Sequence, residues 1–411
     1  MEYGAKKVLY DAIVIGGGPA GMFSALVLKK HFKHVALLEK NDHLGKKLLI
    51  SGNGQCNLTH EGNPDELLYK YGEKGAFLRL VIKGFDNADL IGFFEKKGLE
   101  FEKRADGKYF PSSGRASDIL GVLEKELRRL EVDVLCNEKA TSVLKDKNEF
   151  RISTKTGGYS SKVLVLATGG LSYPSTGSSG DGYVFAERLG HGITATKPAL
   201  APVLCDNFLQ EHLAGLSFET VSLGHWRNGR KKNSFQGALL FTHDGLSGPV
   251  ILNNSRAFEA GDRLIINYLQ GRDRVSFERE LTDRASQKNP PRIKRYLKSF
   301  GLTERFCIDR MKNAGIDEDL RISELGKEAR KSLAGYLTED VFVIKEVKGF
   351  HIAMVTAGGV ETKEINRKTM ESKKAKGLFI VGELLDIDGE TGGYNLQAAF
   401  STAWAIGNHF K

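Results

Sequence analysis

The alternation of apolar and polar positions predicts the first elements of the chain. Ala12–Ile15 is an unbroken apolar run stopped by Gly16, as expected for a short strand buried on both faces. Apolar residues then recur at helical spacing from Pro19 to Lys30, and a second apolar run, Val35–Leu38, ends at Glu39. Further on, Ser117–Leu130 places Leu120, Leu123, Leu127 and Leu130 on one helix face, with Ser117 or Asp118 as its cap. Val132–Cys136 and Ala140–Asp146 read as strands carrying the sheet outward. Lys162–Ala167 reads as another buried strand, ending in Thr168-Gly169-Gly170.

The pattern changes near Thr194–Cys205, where two prolines interrupt it. Short β-like runs follow to about Tyr268 and predict a small β domain. Gly271–Lys331 is charged and helical in pattern, with a break at Asn289-Pro290-Pro291, and β-like text resumes at Asp340–Val347. The C-terminal stretch is again strand, loop and helix, so the chain is expected to return to its first domain. Phe350 and Met354 read as core positions.

The glycines bring in chemistry. Gly16, Gly18 and Gly21 fit the spacing G-x-G-x-x-G between a strand and a helix. The first permits the tight turn, the second lets a pyrophosphate approach the main chain, and the third lets helix pack on strand. The helix start is positive and attracts phosphate, and Glu39 stands where a carboxylate accepts hydrogen bonds from a ribose. Beyond it, Lys46 and Lys47 are placed to neutralise a pyrophosphate or an electron-rich ring. Ser51, Gly52 and Asn53 offer close main-chain approach. Gly382-Glu383 leaves a late strand, and Gly392-Gly393 enters a helix beginning near Tyr394–Asn395.

Composition narrows the setting. The 411 residues suffice for two or three domains, and 41% hydrophobic with 27% charged residues describes an ordinary soluble protein. No window reaches the apolar length of a membrane span. The first residues, MEYGAKKVLYDAIV, lack the apolar core and cleavage site of a signal peptide. Cys56, Cys136, Cys205 and Cys307 are far apart, suggesting neither a zinc site nor a disulfide framework, and no metal is expected. A reducing, cytoplasmic setting is the expectation. The net charge of +9 permits acidic partners without specifying one; its clusters, Arg227–Asn233 and Pro291–Phe300, read as solvated faces.

Taken together, DAIVIGGGPAGM, LLEKNDHLGKKLLISGNGQCNLTH, FPSSGRASDIL, LATGGLSYPSTGSSGDGY, FTHDGLSGPVIL, VTAGGV and GELLDIDGETGGYNLQAAFSTAWAIG resemble the bacterial NAD(P)/FAD-dependent oxidoreductase flavoproteins. That family includes bile-acid 4,6-reductase and aminoacetone oxidase-like members. The resemblance covers nearly the whole chain and is specific for family and cofactor, not substrate. It implies an α/β fold: a discontinuous Rossmann-like FAD-binding domain (1–195 and 348–411), an inserted β-rich substrate domain (196–270 and 336–347) and a small helical insert (271–335). Carried over, Gly16, Gly18, Pro19, Ala20 and Gly21 would meet the FAD pyrophosphate. Glu39 and Lys40 would hold the adenosine ribose, with the Ala140 backbone beside the adenine. Lys46, Lys47, Ser51, Gly52 and Asn53 would line the path to the flavin, and Thr168, Gly169, Gly382, Glu383, Gly393, Tyr394 and Asn395 would close around it.

Two absences shape the expected reaction. No cysteine pair follows the first motif, so a disulfide relay is not expected, and Cys56 reads as a small buried residue. No second dinucleotide unit is present, so NAD(P)H, as transient donor, would approach the flavin through the substrate cleft. Tyr173, His243 and His351 are the weak candidates for a proton donor. The leading reading is an FAD-dependent oxidoreductase acting through flavin N5 on a small molecule. It would reduce an activated C=C bond of enone or steroid type, or oxidise a small amine or alcohol. An FAD-containing RNA-modification protein and a flavin-loaded redox sensor without turnover are the alternatives. The leading reading uses neither nucleic acid nor membrane and leaves the oligomeric state open.

Overall fold

The computed structural model describes residues 7–411. The absence of a leader, read from the first residues, and the placing of the first domain's start at residue 1 fall partly outside this range. The chain divides into two compact units: residues up to Ala199 together with Gly349–Lys411, and Leu200–Lys348.

The first unit is built on a mixed sheet. Its strands are β1 (Lys7–Ile15), β2 (Val35–Leu38), β3 (Asp133–Leu135), β4 (Ala140–Asp146), β5 (Glu149–Thr154), β6 (Gly158–Leu166) and β7 (Leu378–Ile380), and it runs β3-β2-β1-β6-β5-β4. β1 lies parallel between β2 and β6, with Ile13 opposite Ala36 and Leu164. The other edge of β6 serves two neighbours: its first half pairs antiparallel with β5, and Leu164–Leu166 pair parallel with β7. The continuous apolar runs follow from this position, because all four residues of β2 are buried. Val35, Leu37 and Leu38 each contribute roughly 1.5–3 kcal/mol relative to exposure.

Helix α1 (Pro19–Leu28), α2 (Ala116–Arg129), α3 (Asp181–Arg188) and α4 (Tyr394–Ala405) belong to this unit, and α1 packs on α4 and α2. The cap expected for α2 is displaced. Arg115 occupies the cap position without a side-chain cap bond, and Asp118 instead meets Arg115 and Ser113. Residues 59–111, for which no elements are read above, form three helices (Pro64–Tyr69, Gly75–Gly84 and Asn87–Glu95) beside a small antiparallel sheet. Met354 is 44% exposed rather than a core residue, because it lies in the bend before strand Val355–Val360, whose residues are all buried.

In the second unit the β-like segment closes into a six-stranded barrel, formed by Val203–Cys205, Gly245–Ser247, Arg230–Phe241, Ser217–Arg227, Arg263–Asn267 and Asp340–Val347. Closure gives each strand a neighbour on both sides. Helices between Arg274 and Thr338 share one apolar core with it, in which Phe241, Phe277, Phe306 and Leu337 are all buried. Arg310, fully buried on one of these helices, donates to Asp340 at 2.7 Å, and the same oxygen receives the Tyr268 hydroxyl at 2.7 Å. No helix among the described residues is long and apolar enough to cross a membrane.

Candidate functional site

The first motif folds as a tight turn between β1 and α1. Gly16 has φ +112°, and a Cβ there would lie 2.4 Å from the Ala167 carbonyl oxygen. A Cβ on Gly21 would lie 1.8 Å from the Gly16 oxygen, so helix and turn touch through hydrogen alone. Gly18 is different: a Cβ there would meet nothing within 4 Å. It caps α1 without any side-chain bond, and no acidic residue stands in the first turn. The leading N–H groups of the helix therefore await an anion rather than a side chain. Gly382, just past β7, comes so close to this helix start that a Cβ on it would sit 2.9 Å from Ala20 Cβ. The carboxyl ends of β1, β6 and β7 thus converge, and in open α/β sheets that edge is where ligands bind.

Glu39 is buried and already engaged. One carboxylate oxygen accepts the Gly17 N–H at 2.7 Å, and the other accepts the Asn41 main-chain and side-chain N–H groups at 2.8 and 2.7 Å. The chain after β3 runs alongside, with the Glu138 N–H donating to the Glu39 carbonyl at 2.8 Å, which brings the start of β4 at Ala140 to the same edge. Lys40 turns toward α3, pairing with Asp181 at 2.8 Å and donating to Ser179. Burial pulls the Asp181 carboxyl upward, yet the Lys40 hydrogen bond and charge outweigh it, and the pKa ends below the usual carboxylate range. Lys46 pairs with Asp42 at 2.9 Å, one turn back.

Lys47 reaches across the unit to Glu383 at 2.7 Å, while the other Glu383 oxygen accepts the Thr356 N–H at 2.9 Å. The Thr356 hydroxyl in turn accepts the Leu171 and Ser172 N–H groups, just beyond Thr168 and Gly169. Thr168 presses against Gly182 of α3, and Gly169 has φ +72°. The Ser51 hydroxyl donates to the Leu48 carbonyl, and Gly52 and Asn53 are consecutive left-handed residues at φ +56°. Both residues of this strained bend are exposed.

The last motif divides by role. Gly393, at φ +91°, caps α4, and a Cβ there would meet the Thr59 backbone at 2.7 Å. Tyr394 stacks on His60, and its carbonyl accepts the Tyr71 hydroxyl at 2.6 Å. Burial pushes the Tyr394 phenol up to about 12. The Asn395 amide is spent on both backbone groups of Gly389. Tyr394 and Asn395 therefore shape the loop before α4. Sequence reasoning missed the groups that clamp this loop: Lys74 on Asp386 and Lys70 on Glu390 at 3.1 Å. It also missed Thr356 and Tyr183. The Tyr183 hydroxyl is buried and has no hydrogen-bond partner among the described residues. Burial, then the charges of Glu383 and Asp386, raises its pKa. Such contacts join residues hundreds of positions apart and leave no local signal.

Of the proton-donor candidates, Tyr173 and His351 lie on neighbouring segments, because the Tyr173 N–H donates to the Phe350 carbonyl at 2.8 Å. Tyr173 is itself left-handed at φ +53°. His243 belongs to the other unit, at an exposed bend between two barrel strands. Cys56 is fully buried, and burial pushes its thiol up to about 12. A serine–histidine–carboxylate array also occurs: His191 Nε2 lies 2.7 Å from Ser372 Oγ and Nδ1 lies 3.1 Å from Glu364. It is not a nucleophile site. Ser372 is 5% exposed and its oxygen accepts the Lys374 and Ala375 N–H groups.

The residues fit a dinucleotide of FAD type: an uncapped helix start behind an open Gly18, a buried acid at the end of β2, and a buried phenol with no partner of its own. Comparison with known proteins agrees. Residues 10–409 match the family model described as HI0933-like protein Rossmann domain. The chain is 32% identical over 408 residues to the ribosomal RNA dihydrouridine synthase of Escherichia coli K12, covering 96% of both chains. It is 30% identical over 404 residues to the 3-dehydro-bile acid delta(4,6)-reductase of Clostridium scindens, covering 96% of this chain and 97% of that one. Among solved structures it resembles the 3-ketosteroid-delta4-(5alpha)-dehydrogenase of Rhodococcus jostii RHA1, with TM-score 0.52 and 14% identity over 99% of this chain and 98% of that one, which is a likeness of fold.

Proposed function

The chain belongs to the HI0933-like family of Rossmann-type flavoprotein oxidoreductases, and from that premise we propose that it is an NAD(P)H-dependent reductase of a C=C bond conjugated to a carbonyl, acting on the uracil ring of RNA. Bound FAD would take two electrons from the nicotinamide and supply hydride to one alkene carbon. Gly16–Gly21, Glu39 and the start of β4 would hold its ADP half, and Lys47, Glu383 and Gly382 would stand on the path toward its ring. The protein's own chemical task is to hold the substrate ring and deliver a proton to the second alkene carbon. Tyr173 and His351 are the donors we assign.

Two relatives matched over nearly their whole length are named for saturating such bonds, one in RNA and one in a bile acid. The observation that favours RNA is the run Arg230-Lys231-Lys232: three exposed cations with no ion pair among the described residues, on a chain of net charge +9. An apolar steroid has no use for them. This reading departs from the sequence expectation, which placed nucleic acid second.

The test uses FAD-loaded protein, held anaerobically with NADH or NADPH, and an unmodified ribosomal RNA transcript. Nucleoside mass spectrometry is expected to find a uridine that has gained two hydrogens. Conversion of a 3-keto-4-ene steroid with the RNA untouched would replace the substrate reading, and a protein that cannot be loaded with FAD would overturn the cofactor.

A further inference from the structure

The two basic clusters of the sequence have opposite fates. In the second, Arg292, Lys294 and Lys298 are each paired with an acid, at 2.6 Å to Asp319, 3.2 Å to Glu318 and 2.9 Å to Glu304. In the first, only Arg227 is tied down, to the buried Asp262. The chain then reverses at Asn228 and Gly229, both left-handed, and sends Arg230–Lys232 back along the next barrel strand.

The register gives this reversal a use. Trp226 is paired with Lys231 on one neighbouring strand and with Arg263 on the other. Directly paired residues share a face, so the three form one row, cation–indole–cation, across three strands. The next row on that face has Gly224 at its centre, between Ser234 and Ile265. A Cβ on Gly224 would lie 3.1 Å from the Trp226 ring nitrogen, so the indole lies over the glycine. These residues line a groove of about 1030 Å³ on the outer face of the barrel, since the alternating Val221, Leu223 and His225 point inward. Arg274 and Glu339, paired at 3.0 Å, also line it.

We propose that this groove binds a single-stranded segment of RNA, Trp226 stacking on a base while Lys231 and Arg263 meet phosphates on either side. A flat ring between two cations with no ion pair among the described residues matches the alternation of base and phosphate along a strand. An apolar partner would leave both cations buried without counter-charges. The inference deepens the RNA reading given above and rests on it for the choice of polymer.

The test is fluorescence anisotropy of the FAD-loaded protein with a labelled oligouridylate at several salt concentrations. Wild type is expected to bind with a log–log salt slope that becomes shallower by about 0.7 for each cation removed in Lys231→Gln and Arg263→Gln. Trp226→Ala is expected to weaken binding at least about fivefold, while Trp226→Phe retains most of it and checks that the face still folds. Wild-type affinity in Trp226→Ala and in the double cation variant, both folded, would overturn the groove. If RNA is bound through these residues but no uridine is reduced, the groove stands and the substrate reading fails. If RNA is reduced and the groove variants bind normally, the reverse holds.

Discussion

Lys47 and Glu383 are 336 positions apart in sequence and 2.7 Å apart in the fold. Glu383 also receives the Thr356 N–H, so one carboxylate fixes the loop after β2, the end of β7 and the strand Val355–Val360. Both partners keep about a quarter or a fifth of their side-chain surface in water. The pair is therefore expected to contribute no more than about 1 kcal/mol to stability. Its larger effect is expected on cofactor retention: Glu383→Gln should release FAD more readily while unfolding at nearly the wild-type denaturant concentration. Equilibrium dialysis beside urea unfolding of Lys47→Ala, Glu383→Gln and the double variant separates the two effects.

Gly18 and Gly21 make a sharper contrast. Gly21→Ala drives a methyl into the Gly16 carbonyl and should prevent normal folding. Gly18→Ala meets nothing in the protein and its φ of −78° suits alanine, so thermal stability should be unchanged. The methyl would instead meet the pyrophosphate, and FAD affinity should fall at least tenfold, about 1.4 kcal/mol. Equal FAD affinity in a folded Gly18→Ala protein would move the phosphate away from this turn.

Tyr183 carries a buried hydroxyl with no partner among the described residues. Leaving such a group unsatisfied costs about 1–3 kcal/mol. Tyr183→Phe should therefore raise the melting temperature of FAD-free protein. If the hydroxyl serves the cofactor, the same change should lower FAD affinity. A loss of stability in both states would assign the hydroxyl to an internal role.

His191 gives the pH dependence. Burial holds its pKa below the ordinary value, so the unfolded chain takes up a proton more readily than the folded one. The stability it contributes is complete above about pH 6.5 and declines as the pH falls below that. His191→Gln should flatten this part of the urea-unfolding profile. Ser372, bound to it, should not react with a fluorophosphonate probe, and Ser372→Ala should leave the proposed NAD(P)H oxidation as in the wild type.

Cys56, Cys205 and Cys307 are buried, and burial pushes each thiol up to about 12. At pH 8 the thiolate fraction of each is on the order of 10⁻⁴. Titration of the native protein with a thiol reagent should find only Cys136 reacting readily, and Cys56→Ala should behave as the wild type in the assay of the proposed reduction. Rapid modification of Cys56 would return it to consideration as a redox group.

Much of this protein was legible along the chain. The turn at Gly16–Gly21, the strand Val35–Leu38 and its terminal Glu39 are local, because strand burial, helix start and glycine sterics each act over a few residues. The return of the C-terminal segment to the first unit was legible as a late strand, loop and helix. Pairing was not. The sequence shows Lys47, Lys70 and Lys74, and it shows Glu383, Asp386 and Glu390, but only tertiary structure brings them together, since an ion pair carries no periodicity. The same holds for the two basic clusters. Composition treats Arg230–Lys232 and Arg292–Lys298 alike, and the fold gives acids to Arg292, Lys294 and Lys298 and sets Lys231 beside Trp226. Local sterics act through neighbours in the chain, and charge acts through neighbours in space. Sequence therefore determined the glycine turn between β1 and α1, and folding decided which cations were given acidic partners.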